Sequence, residues 1–167
     1  MEMERLGADD LKRVSDFLWK CWSEVYEGMC EGGIDGVRAE FDLWLEEGTY
    51  LRALEAGTEF LMYTDAGRDI GLAGFRVIPE ERSILIDKLY LLPEYRGRGL
   101  GGSAMEHILS KGREAGCTKA FLYVNGLNTS AMGFYGRFGF TVADRRRVSH
   151  AGTEYELVTM RATIPPA

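Results

Sequence analysis

Cysteine is scarce in this chain, and what there is does not form a pattern. The three residues, Cys21, Cys30 and Cys117, match no metal-ligand spacing and cannot all pair. That excludes a zinc ribbon or a disulfide scaffold and predicts a reducing, cytoplasmic setting. Long apolar runs are missing too: no stretch of about 18 apolar residues occurs, so no membrane span is expected. The N-terminus, Met-Glu-Met-Glu-Arg-Leu-Gly-Ala-Asp-Asp, is acidic and lacks an apolar centre, so it does not read as a secretory leader. Basic charge is in deficit, with 20 Lys and Arg against 26 Asp and Glu and a net charge of −6. Duplex binding relies on clustered Lys and Arg, so the charge argues against a nucleic-acid partner. Repeats, linkers and low-complexity tracts are absent. The two histidines, His107 on a predicted helix and His150 in a predicted hairpin turn, are not read as members of a Ser or Cys dyad.

What is present is 167 residues with 46% apolar and 28% charged side chains, enough to bury a substantial core. The size predicts one domain over residues 1–167. A short strand over 2–6 precedes a helix capped by Asp9 or Asp10. Leu11, Val14, Phe17, Leu18, Cys21 and Trp22 keep a three-to-four spacing along that helix. Gly28 to Gly33 breaks it. A second helix is predicted over Gly36–Glu46, with Val37, Phe41 and Leu45 on one face. Strands follow over Glu59–Thr64, Ile70–Ile78 and Ser83–Leu92. A helix over Leu100–Ala115 ends at Gly116, and Lys119–Asn125 is a strand. Asn128 caps a helix reaching about Phe138. A hairpin around His150-Ala151-Gly152 closes the chain, pairing Phe140–Ser149 with Thr153–Arg161. The expected architecture is α+β, a mostly antiparallel sheet with helices inserted.

The stretch Leu92-Pro-Glu-Tyr-Arg-Gly-Arg-Gly-Leu-Gly-Gly-Ser-Ala-Met105 carries the chemistry. A strand stops at Pro93, a glycine-rich turn follows, and an apolar helical spacing begins at Leu100. Such a turn exposes unpaired N–H groups at the positive end of a helix, where phosphates bind. Gly97, Gly99, Gly101 and Gly102 let the backbone approach an anion closely. Arg96 and Arg98 add positive charge beside it. Gly97-x-Gly99-x-x-Gly102 also fits a dinucleotide fingerprint in form. That motif needs a first βαβ unit with an acidic residue ending the next strand, whereas here the strand ends Tyr123-Val124-Asn125. No Gly-x-x-x-x-Gly-Lys-Ser/Thr occurs, so a nucleotide P-loop is excluded.

Arg96-Gly97-Arg98-Gly99-Leu100-Gly101 resembles the Arg/Gln-x-x-Gly-x-Gly/Ala signature of the GNAT superfamily of N-acetyltransferases. The second half of the resemblance is Asn128-Thr-Ser-Ala-Met-Gly-Phe-Tyr-Gly-Arg-Phe-Gly-Phe140. The resemblance implies a sheet with splayed central strands, binding of acetyl-CoA, and transfer of its acetyl group to a primary amine. It implies pyrophosphate contacts from Arg96, Gly97, Arg98, Gly99, Leu100, Gly101, Gly102 and Ser103. Backbone groups of Leu89, Tyr90 and Leu91 would meet the pantetheine arm and acetyl carbonyl, with the Leu91 N–H as oxyanion donor. Asn128 would cap its helix and contact the cofactor, and Tyr135, seven residues later, would be the general acid. A phenol, with an ordinary pKa near 10, gives a proton to a leaving thiolate without being ionised at neutral pH.

The acceptor side is less marked. Peptide-modifying relatives often carry Glu on the strand before the Asn motif, and Tyr123 stands there instead. Asp87 shares alternation parity with Leu89 and Leu91, which makes it a candidate base or acceptor-binding group, or else the ion-pair partner of a neighbouring cation. Trp22, Tyr26 and Glu27, just before the Gly28–Gly33 loop, are candidates to shape the acceptor pocket. The expected partner is a small-molecule amine, with no metal, nucleic acid or membrane, and the chain is a monomer or homodimer. The alternatives are acetylation of a protein amine and a non-catalytic acyl-CoA sensor.

Overall fold

The run from residue 59 to residue 91 sends apolar side chains to both sides of its strands, so its sheet needs cover on both faces. A computed structural model describes residues 1–167 and supplies that cover. Seven strands form one sheet: β1 (Glu2–Leu6), β2 (Glu59–Asp65), β3 (Arg68–Ile78), β4 (Ser83–Leu91), β5 (Lys119–Asn125), β6 (Thr141–His150) and β7 (Thr153–Thr163). Their order is β1-β2-β3-β4-β5-β7-β6, and only β4 and β5 run parallel. Helices α1 (Leu11–Tyr26), α2 (Gly33–Glu46) and α3 (Thr49–Glu55) pack on one face. Helices α4 (Leu100–Glu114) and α5 (Thr129–Gly136) pack on the other. This is the expected α+β, mostly antiparallel architecture. No helix is long and apolar enough to cross a membrane.

One core joins Leu18, Phe41, Phe60, Met62 and Leu72; the other joins Phe75, Ile84, Met105, Ile108 and Leu122. Each such side chain contributes roughly 1.5–3 kcal/mol by leaving water. Helix α2 starts at Gly33, before the predicted Gly36, and buries Val37, Phe41 and Trp44. Leu45, expected on that face, is 37% exposed. Helix α3 was not expected. It lies between Gly48 and Gly57, which read as a connection, and its anchor is tertiary: the buried Tyr50 hydroxyl donates to the Gly7 carbonyl at 2.7 Å. The closing hairpin turns at Ala151 and Gly152, both with positive φ, as the favoured two-residue turn requires.

Two irregularities in β4 create the site. It pairs with β5 only from Ser83 to Ile86, opposite Lys119 to Leu122. Beyond Ile86, β4 stays with β3 while β5 stays with β7, and the strands splay apart. Within β4, Ile86 faces Phe75 and Lys88 faces Gly74, so Asp87 is an extra residue, a β-bulge. The bulge resets the alternation: Ile84, Ile86 and Leu89 all meet the core beneath α4, while Tyr90 packs toward α1. Counting by twos from Asp87 to Leu89 and Leu91 misses this extra residue.

Candidate active site

The splay opens a cleft of about 1050 Å³ between β4 and β5, rimmed by α1, α2, the starts of α4 and α5, and β7. At one end lies the glycine turn. Gly97 and Gly99 have φ of 73° and 80°, and Gly99 is the N-cap of α4. A Cβ at either would meet nothing within 4 Å, so the turn presents open backbone. Ser103 N–H already bonds to the Gly99 carbonyl at 3.0 Å. The N–H groups of Leu100, Gly101 and Gly102, ahead of it, are the unpartnered donors of the first turn. A pyrophosphate fits this cradle by charge and by shape.

Not every expected phosphate residue faces the cleft. Gly97, Gly99, Gly101 and Gly102 line it, but the side chains of Arg98, Leu100 and Ser103 do not. Arg98 lies over the Tyr95 ring, 5.2 Å from its centroid, and Leu100 packs against the core. Ser103 is exposed and its N–H is taken. Arg96 borders the cleft with its guanidinium engaged: it donates to the Leu91 carbonyl at 3.1 Å and to Glu24 at 2.9 and 3.2 Å. In this structure Arg96 ties α1 to the turn.

The floor is β4. Leu92 N–H donates to the Ile70 carbonyl at 2.9 Å, which fixes the alternation against β3. The Tyr90 N–H therefore points toward β3, and those of Leu89 and Leu91 point into the splay. Across the gap, Asn128 Oδ1 accepts from Ala131 N–H at 3.2 Å, the N-cap expected for α5. Tyr135 follows on the same helix, against Phe134 and Phe140. Burial first, and the nearby Tyr26 phenol second, push the Tyr135 phenol well above its ordinary value, so its proton stays at neutral pH.

At the far end, Trp22, Tyr26 and Asp87 border the cleft. The Tyr26 and Tyr90 hydroxyls share a hydrogen bond of 3.1 Å, so Tyr90 contributes a side chain as well as backbone. Asp87 lies 3.3 Å from Lys88 Nζ, which makes it a paired carboxylate. Glu27 is exposed past the end of α1 and does not reach the cleft. Trp22 serves two purposes, since its indole also packs on Phe41 and Trp44. Sequence reasoning missed Met29, Glu40, Thr153 and Tyr155, all on the cleft wall. Glu40 had left a trace: with Val37, Phe41 and Trp44 it completes an i, i+3, i+4, i+7 stripe, a carboxylate set in a buried face.

Residues 11–140 match the acetyltransferase (GNAT) family. An uncharacterized N-acetyltransferase of Mycobacterium tuberculosis is 32% identical over 95 residues, 55% of this chain and 60% of the relative. The peptidyl-lysine N-acetyltransferase YjaB of Salmonella typhimurium is 36% identical over 87 residues, 52% of this chain and 54% of the relative. The matched stretches thus span less than two thirds of these relatives. Among solved structures, the PaiA N-acetyltransferase of Thermoplasma acidophilum, in complex with coenzyme A, superposes with a TM-score of 0.76. That match covers 98% of this chain and 99% of the other at 19% identity, which speaks for the fold.

Proposed function

This chain belongs to the GNAT family of acetyltransferases, and from that membership we propose that it moves the acetyl group of acetyl-CoA to a primary amine by direct attack. The observation that carries the reading is the convergence of three features on one cleft. They are the open first turn of α4, the inward N–H groups of β4 and the protonated phenol of Tyr135. No metal or covalent enzyme intermediate enters the scheme.

Acetyl-CoA supplies the electrophilic thioester carbonyl and the thiol that departs. The chain's own residues do the rest. The N–H donors of Leu100, Gly101 and Gly102, with the positive end of α4, hold the pyrophosphate. Gly97 and Gly99 keep side chains out of its way. The N–H groups of Leu89 and Leu91 orient the arm that carries the thioester, and Leu91 N–H stabilises oxyanion character at the carbonyl. One such donor is worth roughly 3 kcal/mol of barrier. Tyr135 holds a proton at Oη and gives it to the departing thiolate as general acid; the amine attacks as its free base, and the proton it loses on becoming an amide passes to water, from which Tyr135 is reprotonated. Asn128 orders the start of the helix that carries Tyr135. Trp22, Tyr26 and Tyr90 shape the acceptor end.

The acceptor we favour is a small molecule. The peptide-modifying pattern of a Glu on β5 is replaced by Tyr123, and the acceptor end is walled by α1, α2 and β7. YjaB, named for peptidyl-lysine, keeps a protein amine as the second reading. An amine panel with acetyl-CoA, followed by free-thiol release, tests the proposal. Turnover with at least one amine supports it, and CoA binding without thiol release from any amine or peptide leaves the sensor reading in its place.

A further inference from the structure

Three carboxylates border the cleft, and they are not equivalent. Glu24 is held by Arg96, and Asp87 by Lys88, both permanent cations. Glu40 on α2 is held by His150 at the end of β6, which contacts its Oε2 through Nδ1. The other oxygen, Glu40 Oε1, is buried and has no hydrogen-bond partner. A desolvated carboxylate oxygen left unpaired is costly, and a cation beside it removes the cost. His150 does not discharge the cluster, because its Nε2 also faces Glu47 at 3.7 Å. Two carboxylates share one imidazole, so the group keeps net negative charge even when the imidazole is protonated.

The element that carries Glu40 sets its role. Tyr155, Tyr26 and Tyr135 line the same cleft as Glu40, from β7, α1 and α5. Glu40 lies on α2 and Tyr135 on α5, so they line the cleft from separate elements, with the apolar side chains of Trp22, Tyr26 and Val37 in the same lining. A carboxylate on a separate wall of the cleft is placed to hold a second charge on the acceptor while the reacting nitrogen lies near Tyr135.

We propose that Glu40, positioned by His150, is the anchor for a second cationic group on the acceptor, so that the preferred substrate is a diamine or polyamine-like molecule carrying a positive charge beyond the amine to be acetylated. This rests on the acetyltransferase reading above and adds to it a specificity-determining residue. The chemistry fits the walls: aromatic faces accept the methylene spacer and favour a cation near them.

The test compares 1,4-diaminobutane with n-butylamine as acceptors, in wild type and in Glu40→Gln, which keeps the volume and a hydrogen bond for His150. Wild type should prefer the diamine by roughly tenfold or more in kcat/KM. Glu40→Gln should erase the preference through KM, with kcat and the n-butylamine parameters nearly unchanged. Equal loss on both amines would make Glu40 a base or a structural residue, and no wild-type preference would also overturn the proposal without any variant. Calorimetric titration of 1,4-diaminobutane into the CoA-loaded protein separates this from failure of the transferase reading. Binding by wild type that Glu40→Gln loses supports the anchor even if no thiol is released, and no binding by wild type overturns it.

Discussion

Tyr135 has no hydrogen-bonding partner that would prefer its ionised form, and its surroundings favour the phenol. Removing only the hydroxyl tests its role. Tyr135→Phe should keep CoA affinity and packing against Phe134 and Phe140 while turnover falls by roughly 10²- to 10⁴-fold. Steady-state kinetics beside CoA titration checks this, and turnover within twofold of wild type would return Tyr135 to packing. Trp22 and Glu27 separate in the same way: Trp22→Ala should change the acceptor profile, whereas Glu27→Gln, outside the cleft, should not. His150 gives a pH signature. Its hydrogen bond to Glu40 raises the imidazole pKa above the ordinary 6.5, against the opposing effect of burial. A raised folded-state value stabilises fully below the unfolded value and fades as pH climbs through the folded one. The melting temperature lost in His150→Gln should thus be larger at pH 5.5 than at pH 9; equal losses at both would contradict it. Tyr135 and Asn128 were legible from their motif. The Glu40–His150 contact was not, because it joins residues 110 apart and exists only once the hairpin folds over α2.

Among the elements, the start of α4 bears most directly on ligand binding. Its glycines are not equivalent as probes. A side chain at Gly99 meets a φ of 80°, and one at Gly101 presses on Phe134 and Leu91 at 3.3–3.4 Å. At Gly102 a Cβ meets only Phe138, at 3.6 Å. Gly102→Glu adds a negative charge to the first turn, worth about 0.3–1 kcal/mol to the helix itself. The same charge opposes a phosphate. The apo protein should melt at or above the wild-type temperature, while the Kd for CoA rises at least about tenfold, or ~1.4 kcal/mol. Melting curves with calorimetric titration decide, and unchanged CoA affinity would remove the phosphates from this turn. The boundaries of α1, β4, α4 and β5 followed from periodicity and glycine stops. The bulge at Asp87 did not, since nothing in Ile86-Asp87-Lys88 marks an extra residue; the mismatch arises from pairing with β3. Helix α3 was hidden by its length, with Tyr50 and its contact to Gly7 holding it rather than intrinsic propensity.

Across the whole molecule, the sheet is packed tightly enough to overrule local rules. Gly112 sits inside α4, where Ala would normally gain up to about 1 kcal/mol. Here its Cβ would lie 2.9 Å from Ile84 Cγ2 and 3.0 Å from Ile164 Cδ1. Crowding of that kind costs about 1–3 kcal/mol, so Gly112→Ala should destabilise in denaturant titration. A stabilised variant would contradict the close approach of α4 to β4. Pairing of β4 with β3 and of β5 with β7 leaves these two strands apart beyond Ile86, and the proposed chemistry depends on that separation. That proposed chemistry is acetyl transfer in this cleft. The most direct measurement mixes acetyl-CoA, an amine panel and either wild type or Tyr135→Phe, following free thiol and the acetylated amine together. With wild type, thiol and acetyl-amine should appear in equal amounts, and with Tyr135→Phe the rate should be at least tenfold lower at matched CoA occupancy. Thiol release without acetyl-amine, or equal rates for both proteins, would contradict that chemistry.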